Sequence, residues 1–279
     1  SVVVSCRSSM TDEVHRWDQR PSGELHGQSA SILLMRVSLL SAAFTFVIGL
    51  TVFVGQPQAQ RPRFDVVIAN GKIVDGTGAP WFRADLGIVG DRITAIGVLD
   101  EAAAALRVDA SNLIVAPGFI DLLGQSEFNV LVDGRAPSKI LQGVTTEVTG
   151  EGSSIGPVNE RLMAEAAPNA KHFGVAQDWR TLGDYFKRLE ERSHTAINVG
   201  SFVGAGGIRN YVIGKDDRPA TAAELEQMKR LVGEAMQQGA LGLSTSLQYV
   251  PDRFASTNEI VELATVAARY GGVYFTHQR

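Results

Sequence analysis

From Leu113 onward the chain repeats one rhythm: a short β-branched, apolar run, then a longer stretch whose apolar residues recur at helical spacing. Parallel strands require crossovers of a dozen or more residues, and helices supply them, so this alternation predicts a parallel α/β sheet or barrel. The strand-like runs are 113–120, 144–149, 197–203, 241–245 and 273–276. The first is almost continuously hydrophobic, as suits a strand buried on both faces. A short helix over 138–141 stops at Gly143, and 179–192 carries Leu182, Tyr185, Phe186 and Leu189 on one face. Thr221-x-x-Glu224 is a capping-box pattern ahead of Leu225, Met228, Val232, Ala235 and Met236, with Gly239 placed to end that helix. Ser256-x-x-Glu259 repeats the signal before Ile260, Leu263, Ala264 and Ala267.

Five such strands fit the first part of an eight-stranded (β/α) barrel, whose chemistry sits at the C-terminal ends of its strands. Asp121, Glu151, the Ser244-Thr245 pair and His277 all fall at such ends. Five strands alone would leave open edges and an unfilled interior, so further elements are expected beyond this stretch. The barrel portion is placed at 113–279 and a small β domain at 61–112. In the latter, 64–69 and 72–74 flank Asn70-Gly71 as a hairpin, 84–89 and 92–97 flank Gly90-Asp91, and the Ala-rich 100–106 is a connection.

The N-terminal third obeys different rules. Residues 1–34 are polar, irregular and rich in Ser, Arg and Gly, and are read as a leader without structure. Met35-Arg36 then precedes an apolar stretch, 37–54, followed by Gly55-Gln-Pro-Gln-Ala-Gln60. Residues 35–60 therefore resemble a signal peptide or, uncleaved, an N-terminal anchor; both predict export, to the periplasm or outside the cell. Cys6 is the only cysteine and precedes this segment, so the remaining chain carries no thiolate ligand or disulfide. A net charge of −4 with dispersed Lys and Arg offers no footprint for nucleic acid, and a stable membrane partner is expected only if the anchor is kept. The default partner is a small molecule.

The barrel strands and the turns around them resemble the amidohydrolases, in particular the D-aminoacylase branch. Phe64-Asp-Val-Val-Ile-Ala-Asn-Gly-Lys-Ile-Val-Asp-Gly76 is similar to the opening of that family, and Ala116-Pro-Gly-Phe-Ile-Asp121 to the end of its first barrel strand. Gln142-Gly-Val-Thr-Thr146, Gly242-Leu-Ser-Thr-Ser-Leu-Gln-Tyr-Val-Pro251 and Gly271-Gly-Val-Tyr-Phe-Thr-His-Gln-Arg279 follow in the family's order. The resemblance runs from Phe64 to Arg279, and five blocks in register are far more specific than any one of them. It implies a barrel with a small β domain built from both chain ends, and hydrolysis of a non-peptide amide, such as an N-acyl-D-amino acid, by a metal-activated water. A dipeptidase or cyclic-amide hydrolase is the alternative within the superfamily; a non-catalytic barrel fragment or binding protein is the alternative outside it.

The departures fall where the chemistry would be. The family's Phe-Ile-Asp-x-His-x-His puts two metal ligands on one side of the first strand, but here the two positions are Leu123 and Gln125. Leu cannot bind a metal and a neutral amide is a poor imidazole substitute, which predicts one ion, zinc by class, in place of two. Gln125 and Glu127 are the candidate polar replacements. The family's cysteine ligand corresponds to Gly152, leaving the adjacent Glu151 as a ligand candidate, and Ala205 stands where relatives often carry histidine.

His277, in its Thr-His-x-Arg block, is the second ligand candidate; its bland alternative is a structural histidine. Tyr249 and Arg279 are candidates for holding a substrate carboxylate, Tyr249 against the alternative of simple loop packing. His172 and His194, on or near predicted helices and without partners, are expected to be surface or structural residues. The 204–207 glycine run lacks the spacing of a phosphate cradle and is read as a tight barrel loop. The catalytic aspartate implied by the resemblance is expected beyond residue 279.

Overall fold

Asn70, expected at a hairpin tip, lies inside an unbroken strand in the computed structural model, which describes residues 2–4, 63–100 and 102–278. A three-residue strand, β1 (Val2–Val4), precedes β2 (Arg63–Ile73). Asn70 takes the left-handed conformation, φ +64°, which Asn tolerates better than most residues, so β2 kinks there without reversing. The segment 5–62, with the apolar stretch 37–54 and Cys6, lies outside the described residues. Among the described residues no helix is long and apolar enough to cross a membrane.

Two compact units emerge, one of 63–69 with 84–109 and one of 2–4 with 70–83 and 110–278. In the first, β3 (Phe82–Val89) and β4 (Arg92–Gly97) form the expected antiparallel hairpin, with Gly90 at φ +59° in its turn. The Ala-rich segment expected as a connection is a strand over most of its length, β5 (Ala103–Asp109), paired in parallel with β2 from Arg63↔Ala103 to Ala69↔Asp109. Alanine has little β propensity, but the edge of β2 carries backbone donors and acceptors that need partners, and this pairing supplies them. Phe64, Val67 and Ala69 pack with Leu99 and Ala104 as its small core.

In the second unit the single strand expected over 113–120 is two, β6 (Ile114–Pro117) and β7 (Phe119–Asp121). Gly118 divides them, because a Cβ there would lie 1.9 Å from the Thr145 hydroxyl. β6 pairs with the last residues of β2 and with β1. Burial on both faces is not observed: Phe119 and Ile120 are 63% and 61% exposed, since the only strand beside β7 among the described residues is β8 (Val144–Thr149).

β8 also pairs in parallel with β9 (Asn198–Ser201), and the strand expected over 197–203 breaks at Phe202 into β9 and β10 (Val203–Gly204). β10, β11 (Gly242–Ser246) and β12 (Val273–His277) form a second parallel set.

Among the described residues, helices fill the connections from β7 to β8, β8 to β9, β10 to β11 and β11 to β12. α1 (Asn129–Val132) and α2 (Pro137–Ile140) join β7 to β8. α3 (Glu160–His172), capped by the Asn159 side chain on Leu162 N at 3.0 Å, has no counterpart in the apolar pattern, which Pro168 interrupts. α4 (Leu182–Arg188) starts from a Thr181 capping box and unwinds into a π turn over Leu189–Ser193. The expected tight loop at 204–207 is instead the start of α5 (Ala205–Val212), entered directly from β10. α6 (Ala222–Gln237) and α7 (Thr257–Arg269) begin at Thr221 and Ser256, as their capping patterns predict. The apolar faces meet in one core of Trp179, Leu182, Tyr185, Ile208, Met228, Val232, Leu243 and Leu263. Parallel strands in chain order with helical crossovers are the first part of a (β/α) barrel.

Candidate metal and substrate cleft

The ends of β8, β11 and β12 converge on a cleft of about 410 Å³ lined by Leu123, Gln125, Glu151, Ser246, Tyr249, Asp252 and His277, with Gly152, Gly206 and Asn210. Five of the positions singled out from the sequence thus come together. The turn that carries Glu151 is set by its flanking glycines: Gly150 (φ +87°) and Gly152 (φ +64°) hold conformations that L side chains rarely adopt. A Cβ on Gly152 would also lie 2.4 Å from Ser246 Cβ. The buried Ser244 hydroxyl, from β11, accepts from Gly152 N at 3.0 Å and donates to Gly150 O, pinning the turn to the neighbouring strand. This is a positioning task, met by one of the two strand-end hydroxyls expected there.

Glu151 is aimed at the end of β12, where its Oε1 lies 3.2 Å from His277 Nδ1. β12 places the histidine by register, Ser246 opposite His277, and Leu247 N donates to His277 O at 3.0 Å. The Tyr249 ring stands edge-on to the imidazole, with centroids 5.8 Å apart and planes at 84°. Leu123 and Gln125 are both exposed on the cleft wall.

A carboxylate and an imidazole this close fit two ligands of one metal ion. They do not fit a two-ion site with a first-strand histidine pair, since Leu123 offers no donor. Among the described residues no group of three His, Cys, Asp or Glu side chains forms a metal cage.

The remaining sequence candidates take other places. Glu127 lies in an adjoining pocket with Phe128, Leu162 and Phe173, which shares only Gln125, Ser153 and Asn210 with the cleft. Burial pushes its carboxyl up. Asp121 bonds Lys139 Nζ at 2.6 Å, and that hydrogen bond holds its carboxyl below the usual range. Arg279 lies outside the described residues. His172 and His194 are exposed, as expected.

Two buried carboxylates carried no sequence signal. Glu147, in the middle of β8 and fully buried, accepts from Ser126 N at 3.2 Å and stands 3.5 Å from Lys139 Nζ. Asp252, 3% exposed, accepts from Ser246 N at 2.6 Å through Oδ2, while Oδ1 has no hydrogen-bond partner among the described residues. Burial, countered by the Ser246 bond, raises its pKa to about 7. Behind it Arg209 and Glu259 form a buried ion pair at 2.7 Å.

Parallel strands joined by helical crossovers, with a carboxylate and an imidazole brought together at the strand ends, place the chain in the class of (β/α)-barrel proteins whose sites lie at the C-terminal ends of the strands. No family model matches the chain. It is 40% identical to a D-aminoacylase of Alcaligenes xylosoxydans xylosoxydans over 227 residues, 80% of this chain and 46% of that protein. It is 36% identical to an N-acyl-D-glutamate deacylase of the same organism, over 78% of this chain and 44% of that protein. Among solved structures, an N-acyl-D-glutamate deacylase from Bordetella bronchiseptica, crystallised with zinc and a phosphonate mimic of the tetrahedral intermediate, superposes at a TM-score of 0.69 with 35% identity, covering 77% of this chain and 45% of that one. A D-aminoacylase whose binuclear metal centre has been studied gives 0.68 at 35% identity, with the same coverage. The chain belongs to the D-aminoacylase branch of the amidohydrolases, and spans a little under half the length of these relatives.

Proposed function

We propose that the protein hydrolyses the amide bond of an N-acyl-D-amino acid, with Glu151 and His277 as two of the ligands of a single zinc ion. The observation that carries this is the 3.2 Å approach of Glu151 to His277 in the cleft that also holds Tyr249. The relatives at 36–40% identity are deacylases of acylated D-amino acids. When bound, such an ion supplies polarisation of the scissile carbonyl and a water acidic enough to attack near neutral pH.

The chain's own residues do the rest of what this half contributes. Gly150, Gly152 and the Ser244 hydroxyl fix the backbone turn that carries Glu151 before any ligand arrives, which limits the reorganisation left to the reaction. Tyr249, 58% exposed, lines the cleft, where its hydroxyl can bind the substrate's carboxylate and orient the amide. Gln125, also lining the cleft, offers an amide that both donates and accepts.

The test is a panel of N-acyl-D-amino acids, their L-enantiomers, dipeptides and cyclic amides, run on the full-length protein with metal content measured in parallel. Turnover of the D-series with one equivalent of zinc is expected. Absence of tightly bound metal together with no amidase activity after zinc addition would sink the enzyme reading, and turnover confined to dipeptides or cyclic amides would move it to the alternative substrates. We also propose export, on the strength of the apolar stretch 37–54 behind Met35-Arg36. Recovery of the protein from the cytoplasm alone, with an intact N-terminus, would overturn that.

A further inference from the structure

The cleft contains a carboxyl group that neither the expected metal nor the expected substrate accounts for. Asp252 sits in a seat that the backbone has been cut away to provide. A Cβ on Gly206 would stand 2.7 Å from Asp252 Cγ, and one on Gly152 would stand 2.9 Å from its Oδ2. Two elements, the Glu151 turn and the first turn of α5, therefore both have glycine where they face this one side chain.

On its third side the carboxylate takes the Ser246 amide at 2.6 Å. That bond closes the segment 246–252 into a ring of its own. Inside the ring Tyr249 N donates to Ser246 O at 2.9 Å, and Tyr249 O accepts from Arg253 N at 2.9 Å. The backbone of Tyr249 is thus held on both sides, and both anchors depend on where residues 246 and 252 lie. The residue as a whole, by contrast, is 58% exposed, and its ring stands edge-on to His277. Little besides this loop determines where the tyrosine points.

The unpartnered Oδ1 sharpens the point. A buried carboxyl oxygen with no donor costs free energy that packing alone would not retain, and an apolar residue of similar size would fill the seat at lower cost. Buried, partly unsatisfied polar groups concentrate where function requires a defined geometry.

We propose that Asp252 is a positioning residue of the cleft: seated between Gly152 and Gly206, it fixes the 246–252 loop and so holds Tyr249 edge-on to His277. The proposal rests on the cleft being the substrate site. Its consequence is that Asp252 acts on substrate recognition through Tyr249, without touching the reacting atoms.

The test uses the full-length, zinc-loaded protein. Asp252→Ala, which empties the seat and removes the acceptor for Ser246 N, and Tyr249→Phe are each expected to raise KM about tenfold with kcat changed far less, the signature of lost ground-state binding. The double variant should be no worse than the worse single, because both remove the same interaction. Independently of turnover, the ring protons of His277, read by NMR on histidine-labelled protein and assigned by their loss in His277→Asn, lie near the Tyr249 ring. They should shift in Asp252→Ala in the same direction as in Tyr249→Ala. If Asp252→Ala does not fold, Gly206→Ala, whose Cβ would press on the carboxyl, is expected to move the same resonance. An unmoved His277 signal in whichever variant folds, or KM losses that multiply in the double variant, would overturn the proposal. If the wild type turns nothing over, the function proposed above fails, and the His277 signal still decides the role of Asp252.

Discussion

Replacing Asp252 by Asn removes a titrating group while keeping its shape, and the structure dictates how the stability difference must vary with pH. Burial lifts the carboxyl from 3.8 to about 7, and each tenfold change in proton affinity is worth about 1.4 kcal/mol. The folded protein therefore binds this proton more tightly than the unfolded chain does. Below about pH 4 the group is protonated in both states and contributes no penalty. As pH rises through the window from 3.8 to about 7, the unfolded chain releases its proton first and the folded state loses stability. The full penalty, reached above about pH 7, is about 4 kcal/mol.

Asn has no such dependence, so Asp252→Asn gains on the wild type by about 1.4 kcal/mol per pH unit across that window and levels off above it. Other groups titrate in both proteins and cancel in the difference. The charged neighbours of Asp252 that could distort the curve are Arg209 from α5 and Glu259 from α7, which neutralise each other across 2.7 Å, and Glu151 and His277 in the cleft. Urea unfolding of both full-length proteins at intervals between pH 4 and 8 measures the difference directly. A difference that stays flat across the range, or that shrinks as pH rises, would show that the carboxyl is solvated and refute the reasoning. Combined with the rise in KM expected of Asp252→Ala, a widening gap would make Asp252 a case of stability given up for geometry.

Other perturbations test separate parts of the structure. Glu259→Gln leaves the fully buried Arg209 guanidinium without its anionic partner, and chemical denaturation should show a loss of about 3–5 kcal/mol, whereas Arg209→Met with Glu259→Met should cost far less. Thr221→Ala removes the side chain that accepts from Glu224 N at 3.3 Å, and the melting curve should report a loss of about 1 kcal/mol with activity unchanged. His277→Ala and Glu151→Gln should each abolish retention of zinc on gel filtration, while Asp121→Asn, whose partner is Lys139, should not.

Much of the second unit was legible in sequence because its signals are local. The capping residues Thr221 and Ser256 place two helices to the residue, and β-branched runs place β8 and β12. What sequence misplaced depends on partners distant along the chain. Asn70-Gly71 has the composition of a hairpin turn, yet β6, forty residues on, offers the backbone a pairing that keeps β2 running. The hydrophobic run 113–120 reads as one strand, and only Thr145, packed against Gly118, divides it. Ser256-x-x-Glu259 matches a capping box, but the Glu259 side chain is drawn away to Arg209 by a charge that no local pattern reveals.

The candidate site divides in the same way. Glu151, His277 and Tyr249 were found because each lies at a strand end or in a block shared with relatives, and the fold brings them together as expected. Asp252 escaped because its meaning lies in two glycines, Gly152 and Gly206, that approach it from elsewhere in the chain. Glu147 escaped because a charged residue amid Val144-Thr-Thr and Val148-Thr149 does not alter the β pattern around it. The loss of the histidine pair at Leu123 and Gln125 now has a physical setting. Gly124, between them, has no room for a Cβ, which would lie 2.0 Å from Glu147 Oε1, and Glu147 is in turn near Lys139. The segment that would carry two metal ligands is thus packed against a carboxylate with a lysine beside it. Restoring the pair by Leu123→His and Gln125→His supplies donors without altering that packing. It should leave the protein at one equivalent of zinc, and a second tightly held equivalent in that variant would show that the missing side chains alone, and not their setting, limit the site.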